Sequence, residues 1–208
     1  MHTGDSNRLG FINLRDERRT RRANIDGRKR AGNAAYDAEL YMEATREYDA
    51  AIEACEACLE NATRDDDDDA EGDFDATGAR RTLCALRCNR AAAKTKRKMF
   101  EEAMEDARYV IDRPLEAGPK VLCKAFYRMS KALEGVGDAE GAESALLSAK
   151  KIEPNNPVVK QALRNLSSVF HLIVVLNRAS PEVLSRQPKY RDFEGHCGTH
   201  RRNPLCGD

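Results

Sequence analysis

Apolar positions along this chain fall into three blocks in which small and large residues alternate at steps of three and four, the spacing of one helix face. The first block holds Gly32, Ala35, Tyr36, Ala44, Tyr48 and Ala51. The second holds Ala91, Ala92, Phe100, Ala103 and Ala107, and the third Phe126, Tyr127, Leu133, Gly137, Ala142, Leu146 and Ala149. Setting Ala44, Ala103 and Ala142 at one position aligns the other landmarks without a gap inside any block. Each block therefore predicts a pair of helices, A then B. Small residues stand where the two must cross: Gly32 or Ala91 on one side, Ala44, Ala103 and Ala142 on the other. Tyr48, Phe100 and Leu146 fill the spaces between. One such pair cannot bury its apolar face alone, so neighbours stack and roughly three pairs are needed. The prediction is an all-α protein.

Punctuation sets the boundaries. The first unit is expected over 26–61, with helix A from Asp26 to Ala38 and helix B from Met42 to Asn61. An acidic insertion over 62–78, dominated by Asp65 to Asp69, Glu71, Asp73 and Asp75, carries too much like charge to be buried and is expected to be disordered. The second unit spans 79–112. Pro114, Gly118 and Pro119 mark a linker to the third unit, 119–153, which Pro154 ends. Pro157 suits the first turn of a further helix over 156–177. Its Val159, Leu163, Leu166, Phe170 and Ile173 recur at helical spacing, as a capping helix requires. The folded domain is thus 25–177, with a flexible basic arm over 1–24 and a polar, disordered tail over 178–208. In the second unit Arg87 and Lys94 occupy positions where apolar residues are commoner, so looser packing is expected there.

Composition narrows the function classes. Of 208 residues 41% are hydrophobic, 34% are charged and none is tryptophan, which suits a thin core rich in alanine and leucine. Formal net charge is zero, so no general attraction to nucleic acid or membrane follows. The longest apolar stretch, Val169 to Leu176, is broken by His171, so no membrane-spanning helix is expected. No apolar stretch near Met1 resembles a secretory signal. Seven cysteines, an odd number without framework spacing, indicate free thiols in a reducing compartment. The expected location is the cytoplasm, with the nucleus as a second location.

Five polar residues recur against this background. Lys29 and Asn33 are four apart, as are Lys124 and Arg128, and Asn89 holds the same repeat position as Arg128. Residues at these steps share a helix face, so all five should point from three successive A helices into one concave groove. Two lysines, an arginine and two carboxamides together make a site for carboxylates. Arginine grips a carboxylate through paired bonds, lysine supplies a mobile charge, and asparagine adds a neutral donor.

The repeat pattern resembles the tetratricopeptide repeat, and the five residues resemble, position for position, the carboxylate clamp of tetratricopeptide co-chaperones. The resemblance covers roughly residues 26–176. The local runs Lys29-Arg30-Ala31-Gly32-Asn33 and Asn89-Arg90-Ala91-Ala92 carry it most clearly. It implies a three-repeat solenoid with a C-terminal cap and a clamp made of Lys29, Asn33, Asn89, Lys124 and Arg128. The implied ligand is the Glu-Glu-Val-Asp tail of cytosolic heat-shock chaperones of the 90- or 70-kilodalton class. The acidic insertion is longer than the family's usual connection. Neither the isomerase nor the phosphatase domain of larger relatives is present, so the chain reads as a docking module almost alone.

Other motifs are weaker. Asp67, Asp69, Glu71 and Gly72 begin like a calcium loop, but Gly78 stands where such a loop needs a bidentate glutamate. Cys55 and Cys58 have no second ligand pair at suitable spacing. His196, Cys197, His200 and Cys206 match no strong zinc pattern. The Arg-rich stretch from Arg15 to Arg30 lacks aromatic interleaving and a nucleic-acid fold. No catalytic constellation or phosphate loop is visible, so the expectation is a non-enzyme without cofactor or metal. The alternatives are a repeat scaffold for an unrelated assembly and a docking fragment of a larger enzyme such as an immunophilin.

Overall fold

A computed structural model describes residues 5–64 and 76–179, with side chains described over 19–60 and 76–168. Among the described residues there are seven helices and no strands. They are α1 (Asp5–Asp37), α2 (Tyr41–Arg64), α3 (Ala76–Lys96), α4 (Phe100–Ile111), α5 (Pro114–Val136), α6 (Ala139–Ile152) and α7 (Pro157–Ala179). Helices α1/α2, α3/α4 and α5/α6 are the three expected A/B pairs. Contacts divide the chain into two units, Met1–Phe170 and His171–Asp208; of the second, only the helical residues 171–179 are described.

The turn inside each pair obeys one rule. Glu39, Lys98 and Gly137 all adopt positive φ, at 62°, 62° and 86°, and each lies five residues before the aligned alanine. The left-handed residue ends helix A and lets the chain reverse. At Gly137 this gives the paired bonds of a helix stop, Gly137 N–H to Glu134 O and Asp138 N–H to Leu133 O. Asp138 then starts α6, its carboxylate accepting from Gly141 N–H at 2.8 Å. Only the third turn uses glycine, the residue that adopts this conformation without a Cβ penalty. Helix α7 starts similarly: the Asn156 side chain accepts from Val158 N–H at 3.0 Å and Val159 N–H at 3.3 Å.

Ala44, Ala51, Ala91, Ala103, Ala142 and Ala149 are fully buried at the helix crossings. Tyr48, Ile52, Leu83 and Leu86 join α1, α2 and α3 into one core. Cys123, Leu146, Ala149, Val159 and Ala162 join α5, α6 and α7 into another. The last helix thus covers the third pair through Val159 and Ala162. Phe170 and Ile173, also expected in that contact, lie outside the residues whose side chains are described.

Three features differ from the sequence expectation. Helix α1 begins at Asp5, so residues 5–24, expected as a flexible arm, are helical. The stretch contains no proline, and Asp16/Arg19, Glu17/Arg21 and Arg22/Asp26 set opposite charges three and four apart, which favours a continuous helix. The flanks of the acidic insertion, 62–64 and 76–78, belong to α2 and α3; the segment 65–75 lies outside the described residues, as does the tail from residue 180. The linker Pro114–Ala117 is itself a helical turn, separated from the rest of α5 by a kink at Gly118 (φ 69°, ψ 165°).

The second pair is not loosely packed either. Arg87 and Lys94 converge with Arg90 on Asp106 of α4, which is 1% exposed. Arg90 donates to Asp106 Oδ2 through Nε at 2.7 Å and to Oδ1 through Nη2. Lys94 Nζ stands 3.2 Å and Arg87 Nη1 3.5 Å from the same carboxylate. Outward, Arg90 pairs with Asp49 of α2 at 2.7 Å and Arg87 with Glu56 of α2 at 2.6 Å. The Tyr109 ring lies between the guanidinium groups of Arg87 and Arg113, 4.1 and 3.9 Å from its centre. Cations at apolar positions are here the counter-charge of a buried acid, and they tie the first pair to the second.

Candidate functional site

The A helices α1, α3 and α5 lie side by side, α3 packing against both of the others. Each brings its share of the five predicted residues. Asn33 and Lys124 are exposed, while Lys29, Asn89 and Arg128 are half-buried. The direct link is between repeats: Asn89 Nδ2 donates to Asn33 Oδ1 at 3.1 Å, across 56 residues of sequence. Lys124 and Arg128 lie on α5, which packs against α3, and their charges are felt at Cys88 of α3. Burial pushes the Cys88 thiol up to about 11, against the opposing pull of the Arg128 and Lys124 charges. Arg128 also stands over the Tyr127 ring, 5.4 Å from its centre. Lys29 lies one helical turn before Asn33 and contacts none of the other four among the described hydrogen bonds and ion pairs.

No carboxylate among the described residues lies within salt-bridge distance of Lys29, Lys124 or Arg128. This contrasts with Arg87, Arg90 and Lys94, each of which holds at least two acids. One cation on α1 and two on α5, without a salt-bridge partner among the described residues, flank the α3 helix that carries Asn89, a combination of groups suited to an anion.

A sixth residue enters from below. Tyr48, on α2 and 2% exposed, donates its hydroxyl to Asn33 Oδ1 at 2.8 Å. Its phenol is pushed up to about 12, by burial first and then by the charges of Asp37 and Tyr36, with Arg128 opposing. Sequence reasoning took Tyr48 as a space-filler. The available signal was its hydroxyl, because Leu146 fills the same repeat position without one.

No family model matches this chain, and no curated protein matches it. Solved structures do. The first tetratricopeptide domain of Spaghetti (RPAP3), bound to the HSP90 peptide SRMEEVD, is 21% identical, with a TM-score of 0.52 over 72% of this chain and 94% of that one. The second such domain of human RPAP3, in complex with the HSP70 peptide SGPTIEEVD, is 22% identical, with a TM-score of 0.50 over 71% and 98%. The Hsp90 co-chaperone Cns1 of Saccharomyces cerevisiae is 20% identical, with a TM-score of 0.59 over 77% of this chain and 44% of its own. The fold is the tetratricopeptide-repeat fold. At these identities the likeness is one of fold alone.

Nothing else in the described part of the tetratricopeptide domain competes as a site. No group of three or more His, Cys, Asp or Glu side chains there is placed to hold a metal ion. The tail set His196, Cys197, His200 and Cys206, and most of the calcium-like loop, lie outside the described residues. Cys55, Cys84, Cys88 and Cys123 are buried and Cys58 half-buried, all as free thiols. Burial is the first cause raising Cys55 and Cys123 to about 11, with nearby acids adding to it. Such thiols are poor nucleophiles and poor metal ligands at neutral pH. No helix among the described residues is long and apolar enough to cross a membrane.

Proposed function

We propose that this protein is a chaperone-binding adaptor whose A-helix face docks an acidic peptide by its free C-terminal carboxylate. The ligand is the Glu-Glu-Val-Asp tail of heat-shock chaperones of the 90- or 70-kilodalton class. Lys29, Asn33 and Asn89 hold the terminal carboxylate; Lys124 meets the aspartate side chain and Arg128 reaches in from the third repeat. The observation that carries the reading is the Asn33–Asn89 bond between repeats, together with Lys29 of α1 and Lys124 and Arg128 of α5, which have no salt-bridge partner among the described residues. Two proteins of the same fold are solved with peptides ending in Glu-Glu-Val-Asp, which supports the ligand class. The adaptor reading involves no catalysis.

Calorimetric titration with a Met-Glu-Glu-Val-Asp peptide tests it. A hydrogen bond to a charged group contributes about 1.5–3 kcal/mol, so losing one cation weakens binding about ten-fold or more. Lys29→Ala, Lys124→Ala and Arg128→Ala each do so while leaving the melting curve nearly unchanged, since none of the three packs a core. Amidating the peptide's C-terminus is as damaging as any one of them. Equal affinity for wild type, Arg128→Ala and the amidated peptide, or no binding at all, removes this reading in favour of a repeat scaffold.

A further inference from the structure

We propose that Tyr48 and Gly32 are positioning residues that hold the Asn33 carboxamide with its Nδ2 toward the ligand, so that the site selects a free carboxylate over an amide. The ligand in this statement rests on the function proposed above; the positioning does not.

Asn33 Oδ1 accepts two hydrogen bonds, from Tyr48 Oη at 2.8 Å and from Asn89 Nδ2 at 3.1 Å. A carbonyl oxygen has two lone pairs, and both are used. What remains of the Asn33 side chain for a ligand is the NH2 group, a donor only. Turning the amide over would set its NH2 against that of Asn89, donor facing donor, and would make Tyr48 Oη the acceptor in place of the donor. The phenol is a donor at neutral pH, and burial and then the Asp37 charge push it further up, to about 12. Donors converging on one spot favour a carboxylate, which only accepts, and oppose a terminal amide, which brings donors of its own.

Gly32 makes the arrangement sterically feasible. A Cβ there would lie 2.6 Å from Tyr48 Cε1, so the ring rests directly against the α1 backbone one residue from Asn33. The other repeats place Ala91 with Ala107 and Ser130 with Leu146 at these two positions. Packing therefore does not require a phenol, and Asn33 is the hydrogen-bond partner of this one.

Tyr48→Phe removes the hydroxyl and keeps the ring. In ligand-free protein, the Asn33 side-chain amide cross-peaks in a proton–nitrogen NMR spectrum should move and broaden on this change. Unmoved Asn33 peaks overturn the positioning role whether or not any peptide binds. In titrations with free-acid and amidated Met-Glu-Glu-Val-Asp peptides, Tyr48→Phe should bind the free acid about three- to ten-fold more weakly and the amide unchanged, the effect of losing one neutral hydrogen bond. No loss, or an equal loss for both peptides, overturns the selectivity. A wild-type protein that binds neither peptide sinks the proposed function and the selectivity together, and the NMR result alone then decides the positioning.

Discussion

Replacing Asp106 by alanine puts the largest internal electrostatic feature of the fold to the test. The carboxylate is 1% exposed and serves three cations. Its removal leaves Arg87, Arg90 and Lys94, only 21%, 14% and 10% exposed, around an empty pocket. Breaking a buried ion pair from one side typically costs about 3–5 kcal/mol. The lower end applies, because each cation keeps a second acid: Glu56 for Arg87, Asp49 for Arg90 and Glu102 for Lys94. Those acids are 39%, 43% and 48% exposed, so the compensation is partial. For a domain of this size a loss of about 3 kcal/mol lowers Tm by roughly 6–12 °C. The assay is thermal and urea unfolding followed by circular dichroism, at low salt and at 1 M NaCl. Exposed pairs are screened at high salt, whereas a pair inside the protein is screened far less, so the deficit should persist. Arg90→Met combined with Asp106→Leu should be less damaging than Asp106→Ala, since it fills the pocket and removes the cation bound most closely to Asp106, leaving only Arg87 and Lys94, each with its second acid. A deficit below about 1 kcal/mol, or one that vanishes in 1 M salt, would show that the network is a solvated surface feature and refute the reasoning.

Other expectations follow from single positions. Gly32→Ala drives a Cβ into the Tyr48 ring, so it should destabilise by about 1–3 kcal/mol in urea titration; a neutral result would mean the helices slide apart freely. Lys98→Gly relieves a non-glycine residue of its left-handed conformation and should stabilise by up to about 1 kcal/mol, with an unchanged or lower Tm counting against it. Cys55, Cys88 and Cys123 should resist iodoacetamide at pH 8 in the native protein, read by peptide mass spectrometry; rapid labelling of any one contradicts its burial. These thiols have an ordinary value of 9.0 and a folded value of about 11. The unfolded chain therefore releases their protons first, and stability present below pH 9 should fall as pH rises toward 11. Stability rising over that interval would reverse the sign and exclude the linkage.

The repeats, their helices and the five polar positions were legible in the sequence because helical period is a local property. Residues three and four apart share a face wherever the helix ends up. Small residues at Gly32, Ala44, Ala103 and Ala142 announced the crossings for the same reason. Tertiary structure decided what those faces meet. Asp106 is separated from Arg90 by sixteen residues and lies on another helix, so nothing local told whether the three cations of α3 would face water or an acid. Asn33 and Asn89 came into contact only because α1 and α3 stack at one spacing and rotation. The Tyr48 hydroxyl found Asn33 only because Gly32 lets the Tyr48 ring lie against the α1 backbone. Local chemistry determines which side of a helix is apolar and which is charged. Partners across helices depend on offsets of an ångström or two, set by all the side chains packed between them.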